Sequence, residues 1–306
     1  MKRAFLTGAS GPLGSALADY LVGQGVAVTA TLHPGSKRQP QMRQADKIEF
    51  VECDLANLHT LSSKLNGRYD AFFHLAWETA TREITADPLV QARNIQYTLD
   101  AAQLAADLGC KVFVGAGSQA EYGRVDGLMG TETPANPETS YGIAKYAAGQ
   151  LSRKLCEASG LRHCWGRLLS LYGPFERETT AVMYVIDSLL KREKPALTRA
   201  EQLWDYIYSV DAARAFSLIA EKGRHGAAYP VGSGRARPLR EYFEIIRDNI
   251  DPRLPLGLGE ASYPNGVITS LRSDISVLTK ETGFVPEYPF EAGIKETIAW
   301  VKLNKK

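Results

Sequence analysis

The sequence predicts an α/β protein: a doubly wound parallel sheet with a smaller, discontinuous α/β lobe. Three observations predict it. A short apolar run over residues 4–7 passes directly into the glycine loop Gly8-Ala9-Ser10-Gly11-Pro12-Leu13-Gly14. Apolar strands then alternate with helical stretches through the first half of the chain, the order that builds a parallel sheet. Finally, Ser118 falls at the end of the fifth such strand, and Tyr141 and Lys145 follow four residues apart on a helix, stacked one turn apart on one face.

Composition sets the frame. The 306 residues are 44% hydrophobic and 23% charged, enough chain for a sizeable core in one or two domains. The formal charge is +2 with both signs interspersed, which gives no support for a nucleic-acid surface. The basic cluster Lys302, Lys305 and Lys306 reads as a solvated helix end. Cys53, Cys110, Cys156 and Cys164 show no C-x-x-C or Cys/His ligand spacing, so neither a disulfide framework nor a metal site is expected. The sequence contains no apolar run long enough to span a bilayer. No membrane partner and a cytoplasmic location are the expectations.

The first strand, residues 4–7, feeds the loop and a helix over Leu13–Val22. In the spacing G-x-x-G-x-x-G, Gly8 and Gly11 permit a tight turn and the approach of backbone N–H groups to a pyrophosphate. Pro12 suits a first helical turn, and Gly14 lets helix and strand pack closely. A bare turn is the alternative. The second strand, Val26–Thr31, decides the cofactor. A site for NAD carries an acid near this point for the ribose hydroxyls, whereas a 2′-phosphate wants cations and hydroxyls. Here the chain reads Thr31-Leu32-His33-Pro34-Gly35-Ser36-Lys37-Arg38 without an acid. NADP(H) is therefore expected, with Ser36 and Arg38 as ligands and Lys37 second, against the alternative of an exposed basic loop. NAD stays open.

The third strand, Ile48–Cys53, ends at Asp54-Leu55, where the carboxylate accepts from an adenine amino group or caps a helix. The fourth, Tyr69–Leu75, runs into His74-Leu75-Ala76-Trp77; Ala76 is small enough to lie against a dinucleotide, and His74 reads as a packed strand residue. A helix over Leu89–Leu108 carries Asn94 and leads to a fifth strand, Lys111–Gly115, and then to Gly117-Ser118-Gln119-Ala120-Glu121-Tyr122-Gly123. Ligands bind at the carboxyl edge of such sheets. A phenol titrates near pH 10 in water and needs a neighbouring cation to work near neutrality. Lys145 can supply that charge to Tyr141. The Ser118 hydroxyl completes a cradle for a carbonyl being reduced or an alcohol being oxidised.

With these residues in place the chain resembles the extended short-chain dehydrogenase/reductases, in the nucleotide-sugar epimerase, dehydratase and ketoreductase group. The resemblance runs through Gly8, Gly11 and Gly14, Asp54-Leu55, His74-Leu75-Ala76, Asn94, Ser118 with Tyr122-Gly123, and Tyr141 with Lys145. It continues in Arg167 with Tyr172-Gly173-Pro174, in Tyr206-Ile207-Tyr208-Ser209-Val210-Asp211, and in Asp274, Gly283 and Pro286. It implies a Rossmann domain over 1–168, with 203–234 packing back onto it, and a substrate-binding lobe over 169–306. It also implies a homodimer through the helices near 89–108 and 138–159. In catalysis Tyr141 would exchange a proton with a sugar hydroxyl or ketone, Lys145 would hold the nicotinamide ribose and lower the tyrosine pKa, and Ser118 would bond the same oxygen. The cofactor set it implies is Gly8, Ser10, Gly11, Pro12, Leu13, Gly14, His33, Ser36, Arg38, Asp54, Leu55, Leu75, Ala76, Trp77, Asn94, Tyr141, Lys145 and Leu168. The substrate set is Ser118, Gln119, Ser170, Trp204 and Arg272.

Departures from the family narrow the reaction. Its 4,6-dehydratases place an acid pair directly after the active-site hydroxyl, where this chain has Gln119-Ala120; Glu121 is left with either a proton role or an ion pair or cap. The Asn and Arg that grip the diphosphate in its epimerases are Ser170 and Trp204 here. Arg272 and Arg199 become candidate phosphate partners, with surface ion pairs as the alternative. Together these features look most like the ketoreductase branch, which includes abequose-synthase-like enzymes. The expected reaction is NADPH-dependent reduction of a nucleotide-linked 4-keto-6-deoxy sugar, with Tyr141 as proton donor. The alternatives are a nucleotide-sugar epimerase that retains NAD, a reductase of a small carbonyl compound, and a non-catalytic NADP(H)-sensing protein. Against the last stand Tyr141 and Lys145, both present.

Overall fold

The computed structural model describes residues 1–36, 44–65, 67–78, 86–263 and 268–304. The main strands are β1 (Arg3–Thr7), β2 (Ala27–Leu32), β3 (Ile48–Glu52), β4 (Ala71–His74), β5 (Val112–Ser118) and β6 (Arg162–Leu168). Short strands follow: β7 (Ser170–Tyr172), β8 (Ala196–Leu197), β9 (Leu203–Trp204), β10 (Tyr206–Tyr208), β11 (Ala228–Val231), β12 (Arg237–Pro238), β13 (Gly257–Leu258) and β14 (Ser270–Leu271). The helices are α1 (Pro12–Gly23), α2 (Pro88–Asp107), α3 (Ser140–Ala158), α4 (Ala181–Leu190), α5 (Ser209–Lys222), α6 (Leu239–Ile250), α7 (Ser276–Thr282) and α8 (Phe290–Asn304).

Seven strands form one parallel sheet in the order β11-β6-β5-β4-β1-β2-β3. Helices cover both faces, so strand residues of either parity are buried and the strands read as near-continuous apolar runs. Neighbouring residues therefore serve opposite cores. Leu6, Phe73 and Val114 pack with Leu17 of α1 and Phe216 of α5, whereas Phe5, Phe72 and Phe113 pack with Leu104 of α2 and Ala148 of α3. The chain builds outward from β1 to β3, then crosses to β4 on the other side of β1. This switch point opens a crevice at the carboxyl ends of β1 and β4.

Beyond β6 the chain alternates between a second core and the sheet. β7 pairs in parallel with β10, and β9 lies between β12 and β14. These small pieces surround a cluster in which Tyr242 meets Tyr206 and Phe290 edge-on, at 5.0 and 4.6 Å between ring centres. Between them α5 packs on α1 and β11 joins the sheet beside β6.

Strand bounds shift from the sequence expectation mainly in β5, which starts at Val112 and continues to Ser118. Pairing with β6 holds it extended through Gly115-Ala116-Gly117. The space of the missing side chains is filled by Trp165, whose ring would lie 1.9 Å from a Cβ at residue 115. Cys156 and Cys164 are buried, Cys53 and Cys110 are half-buried, and all four are free. Among the described residues no helix is long and apolar enough to cross a membrane, and no group of three His, Cys, Asp or Glu side chains is placed to hold a metal ion.

Candidate active site

A cleft of about 890 Å³ lies at the switch point. Its floor is the glycine loop. Gly8 turns at φ 79°, and a Cβ on Gly14 would stand 2.1 Å from the Gly8 carbonyl oxygen, so α1 meets the loop more closely than any side chain allows. Gly11 caps α1 without a side-chain bond. The first-turn N–H groups and the positive end of the helix dipole are left for an anion. A backbone cradle of this shape, opening into an elongated cleft, fits the pyrophosphate of a dinucleotide.

Most of the expected cofactor set lines this cleft: Gly8, Ser10, Gly11, Pro12, Leu13, Gly14, His33, Asp54, Leu55, Leu75, Ala76, Trp77, Tyr141, Lys145 and Leu168. Asp54 takes the capping role, accepting from the Ala56 amide at 2.9 Å, with its second oxygen 3.3 Å from His33 Nε2. His74 is packed, bonded to Thr7 and Thr98 and 3% exposed. Two assignments differ. Asn94 does not line the cleft: it accepts from the Glu78 amide at 2.7 Å and donates to the Glu78 and Val90 carbonyls, bracing the chain where it leaves β4. Ser36 also lies outside the lining, and Arg38 and Lys37 fall outside the described residues.

The reacting end is built by β5 and α3. Thr139 caps α3 by accepting from the Gly142 amide at 3.0 Å, which places Tyr141 and Lys145 in the first two turns facing the cleft. The Ser118 hydroxyl lies close enough to the Tyr141 phenol to draw its pKa down. Lys145 is 4% exposed; its ammonium donates to the Ala116 carbonyl at 2.7 Å and lies 3.6 Å from the centre of the Trp77 ring. Trp77 meets Tyr141 edge-on at 6.0 Å and donates Nε1–H to Gln91 at 2.9 Å. Burial draws the Lys145 ammonium down to about 7, against an opposing pull from Glu121.

Burial also pushes the Tyr141 phenol up, outweighing the Ser118 hydroxyl and the Arg177 charge that draw it down. Burial is the largest influence on this phenol, and Lys145 works against it. Its ammonium is committed to Ala116 and Trp77, 5.8 Å from the Tyr141 ring centre, and desolvation dominates both groups.

A pH dependence follows from the lysine. Its charged form dominates only below about pH 7, and ligand oxygens favour that form. Cofactor affinity is expected to be highest at and below pH 7 and to fall as pH rises, by up to about tenfold per unit. Titrating NADPH by its fluorescence across pH 6–9 checks this, and Lys145→Met should flatten the curve.

The substrate set is only partly assembled. Ser118 is 8% exposed beside Tyr141. Ser170 and Trp204 bond to each other, Trp204 Nε1 donating to Ser170 Oγ at 2.6 Å. Arg272 donates to Ser270 Oγ and the Asp126 carbonyl, so it braces a loop, and it forms no ion pair among the described residues. Gln119 has a buried Oε1 without a partner among the described residues. Ser118, Gln119, Ser170, Trp204 and Arg272 are not in the cleft lining, although Ser118 stands next to Gly117 and Tyr141, which are; Tyr97, Leu169, Leu171, Glu176, Arg177 and Thr180 line it as well. The last three follow the Tyr172-Gly173-Pro174 motif, and Phe175 at φ 65° turns them inward. That backbone turn has no sequence signal, because a non-glycine residue rarely adopts it.

Glu121 is an ion pair and a cap. Its Oε2 accepts from Arg167 Nε at 2.7 Å, and its Oε1 accepts from Trp165 Nε1 at 2.9 Å and from the Ser118 amide at 2.8 Å.

Comparison with known proteins agrees with this geometry. A Methanocaldococcus jannaschii protein named "Putative UDP-glucose 4-epimerase" is 26% identical over 98% of this chain and 99% of its own. A dTDP-glucose 4,6-dehydratase of Haemophilus influenzae is 22% identical over 99% of both chains. Among solved structures, the UDP-N-acetylglucosamine 4-epimerase of Methanobrevibacter ruminantium, in complex with UDP-N-acetylmuramic acid, superposes with a TM-score of 0.86. It is 24% identical and covers 99% of this chain and 98% of its own. The sequence pattern of the NAD dependent epimerase/dehydratase family matches residues 4–232, and the chain belongs to that family.

Proposed function

We propose that this protein reduces the ketone of a nucleotide-linked 4-keto-6-deoxy sugar to the alcohol, with NADPH as the reductant. The observation that carries the reading is Tyr141 and Lys145 one turn apart on α3, both lining a cleft that begins at the glycine loop, with Ser118 beside Tyr141 at the cleft's edge. When bound, the nicotinamide supplies hydride to the carbonyl carbon. The chain supplies the rest. Tyr141 gives its proton to the carbonyl oxygen, Ser118 donates to the same oxygen, and the Lys145 ammonium stabilises the phenolate left behind. Trp77, Leu168, Leu169 and Leu171 provide apolar walls, which strengthen these interactions by excluding water.

Elimination of water, the dehydratase reaction, needs an acid and a base beside the sugar. Gln119 and Ala120 supply neither, and both oxygens of the buried Glu121 carboxylate are bonded within the protein. The NADP(H) preference is supported by β2, which ends at Leu32-His33 without a carboxylate, while Asp54 is engaged by its cap and by His33.

A second reading, an epimerase that retains NAD, is favoured by the full-length match to the Methanocaldococcus jannaschii relative. The two separate on cofactor balance. The purified protein, mixed with NADPH and a 4-keto-6-deoxy nucleotide sugar, should consume one NADPH per ketone reduced and show little activity with NADH. Co-purifying NAD, with interconversion of nucleotide sugars and no net consumption, would replace this reading by the epimerase.

A further inference from the structure

We propose that Glu121 is a positioning residue: its buried carboxylate holds the turn that sets the Ser118 hydroxyl against the Tyr141 phenol. The proposal rests on the reading above, in which those two hydroxyls share the reacting oxygen. Glu121 is 1% exposed and Arg167 5%, so the pair is fully inside the protein. Such a pair is a poor source of stability, because desolvation offsets its attraction. Its geometry points instead to placement.

Ser118 to Glu121 form a closed unit. Ser118 Oγ accepts from the Ala120 amide at 3.2 Å, and Glu121 reaches back to accept from the Ser118 amide at 2.8 Å, the reciprocal bonds of a capping box. The carboxylate then fastens this unit to β6, taking Trp165 Nε1 on the oxygen that bonds Ser118 and Arg167 Nε on the other. Arg167 is itself held over the Tyr122 ring at 4.5 Å. The unit is also tied to α3. A Cβ on Gly142 would stand 2.3 Å from the Ala120 carbonyl oxygen, so the residue after Tyr141 lies directly on the turn. One carboxylate thus links the strand that ends at Ser118, the strand that carries Arg167, and the helix that carries Tyr141.

The relative position of the two hydroxyls is the quantity at stake, and a shift of about 1 Å in such groups can cost on the order of 100-fold in rate. Glu121→Gln keeps the shape but sets an amide against the Arg167 guanidinium. The expected result is a fall in kcat of about 10- to 100-fold, with KM for NADPH close to that of the native chain when both are assayed at about pH 6, where Lys145 stays charged without the pull of Glu121. The control is the paired apolar variant Glu121→Leu/Arg167→Met, which removes both charges. It should recover the melting temperature lost in Glu121→Leu alone while kcat stays low. A purely structural role predicts that kcat returns with stability, and that result would overturn the proposal. Full kcat in Glu121→Gln would overturn it too. Tyr141→Phe, assayed in parallel, keeps the two ideas apart: an inactive Tyr141→Phe beside a fully active Glu121→Gln removes the role of Glu121 and leaves the reaction in place.

Discussion

Tyr141→Phe is expected to lower kcat by about 10²- to 10⁴-fold, the range for loss of a positioned general acid, equivalent to roughly 3–5 kcal/mol of barrier. Only the hydroxyl is removed. The ring keeps its edge-on contact with Trp77 and its place in the first turn of α3, so the cradle around Gly8, Gly11 and Gly14 is undisturbed. Steady-state rates with the keto sugar, alongside an NADPH binding titration, check the split: a large loss in turnover with little change in cofactor affinity. Ser118→Ala should act in the same direction with a smaller effect, about 10²-fold, because it removes a donor to the oxygen and leaves the proton source.

The second large effect concerns stability. Asp205 sits between β9 and β10 with no solvent exposure. It accepts from the Ser233 amide at 2.8 Å, the Ser233 hydroxyl at 2.6 Å, the Gly234 amide at 3.0 Å, and the amide and hydroxyl of Ser273. Ser233 follows β11 of the main sheet and Ser273 follows β14 of the smaller one, so this carboxylate ties the two parts of the chain. Asp205→Ala strands these donors in the interior. The cost is expected to be about 3–5 kcal/mol, seen as a fall of roughly 10 °C in melting temperature. Asp205→Asn, which retains one acceptor, should fall between. Thermal unfolding followed by circular dichroism measures both.

The sequence makes some of this legible and leaves the rest to tertiary contacts. The glycine loop, the strand order through β5 and the Ser118, Tyr141 and Lys145 trio are readable because each depends on local spacing: a turn that only glycine fits, a period of two or 3.6, a pair four apart on a helix. The length of β5 is not readable. Gly115-Ala116-Gly117 has the composition of a loop and stays extended because Trp165, half a hundred residues later, occupies the vacated volume. Asn94 fits the family pattern, yet its work is to brace Glu78. Ser170 and Trp204 are conspicuous as departures, but that they satisfy each other is visible only once β7 and β9 are near one another. Arg177 and Thr180 reach the cleft through the turn at Phe175, a conformation that sequence propensity argues against.

The lysine shows how context adds to a local argument. Spacing alone makes Lys145 the cation that activates Tyr141. Burial also lowers its own proton affinity, and its ammonium turns toward the Trp77 face, a favourable arrangement for a desolvated cation.

The most direct test of the central claim is isotopic. NADPH carrying deuterium on the transferable position of its nicotinamide is incubated with the protein and a 4-keto-6-deoxy nucleotide sugar, and the product is analysed by mass spectrometry and proton NMR. The account predicts one deuterium on the carbinol carbon of the sugar, one oxidised cofactor per sugar, and no product from Tyr141→Phe on the same time scale. An unlabelled sugar with the cofactor still reduced, or full labelling by Tyr141→Phe, would contradict it.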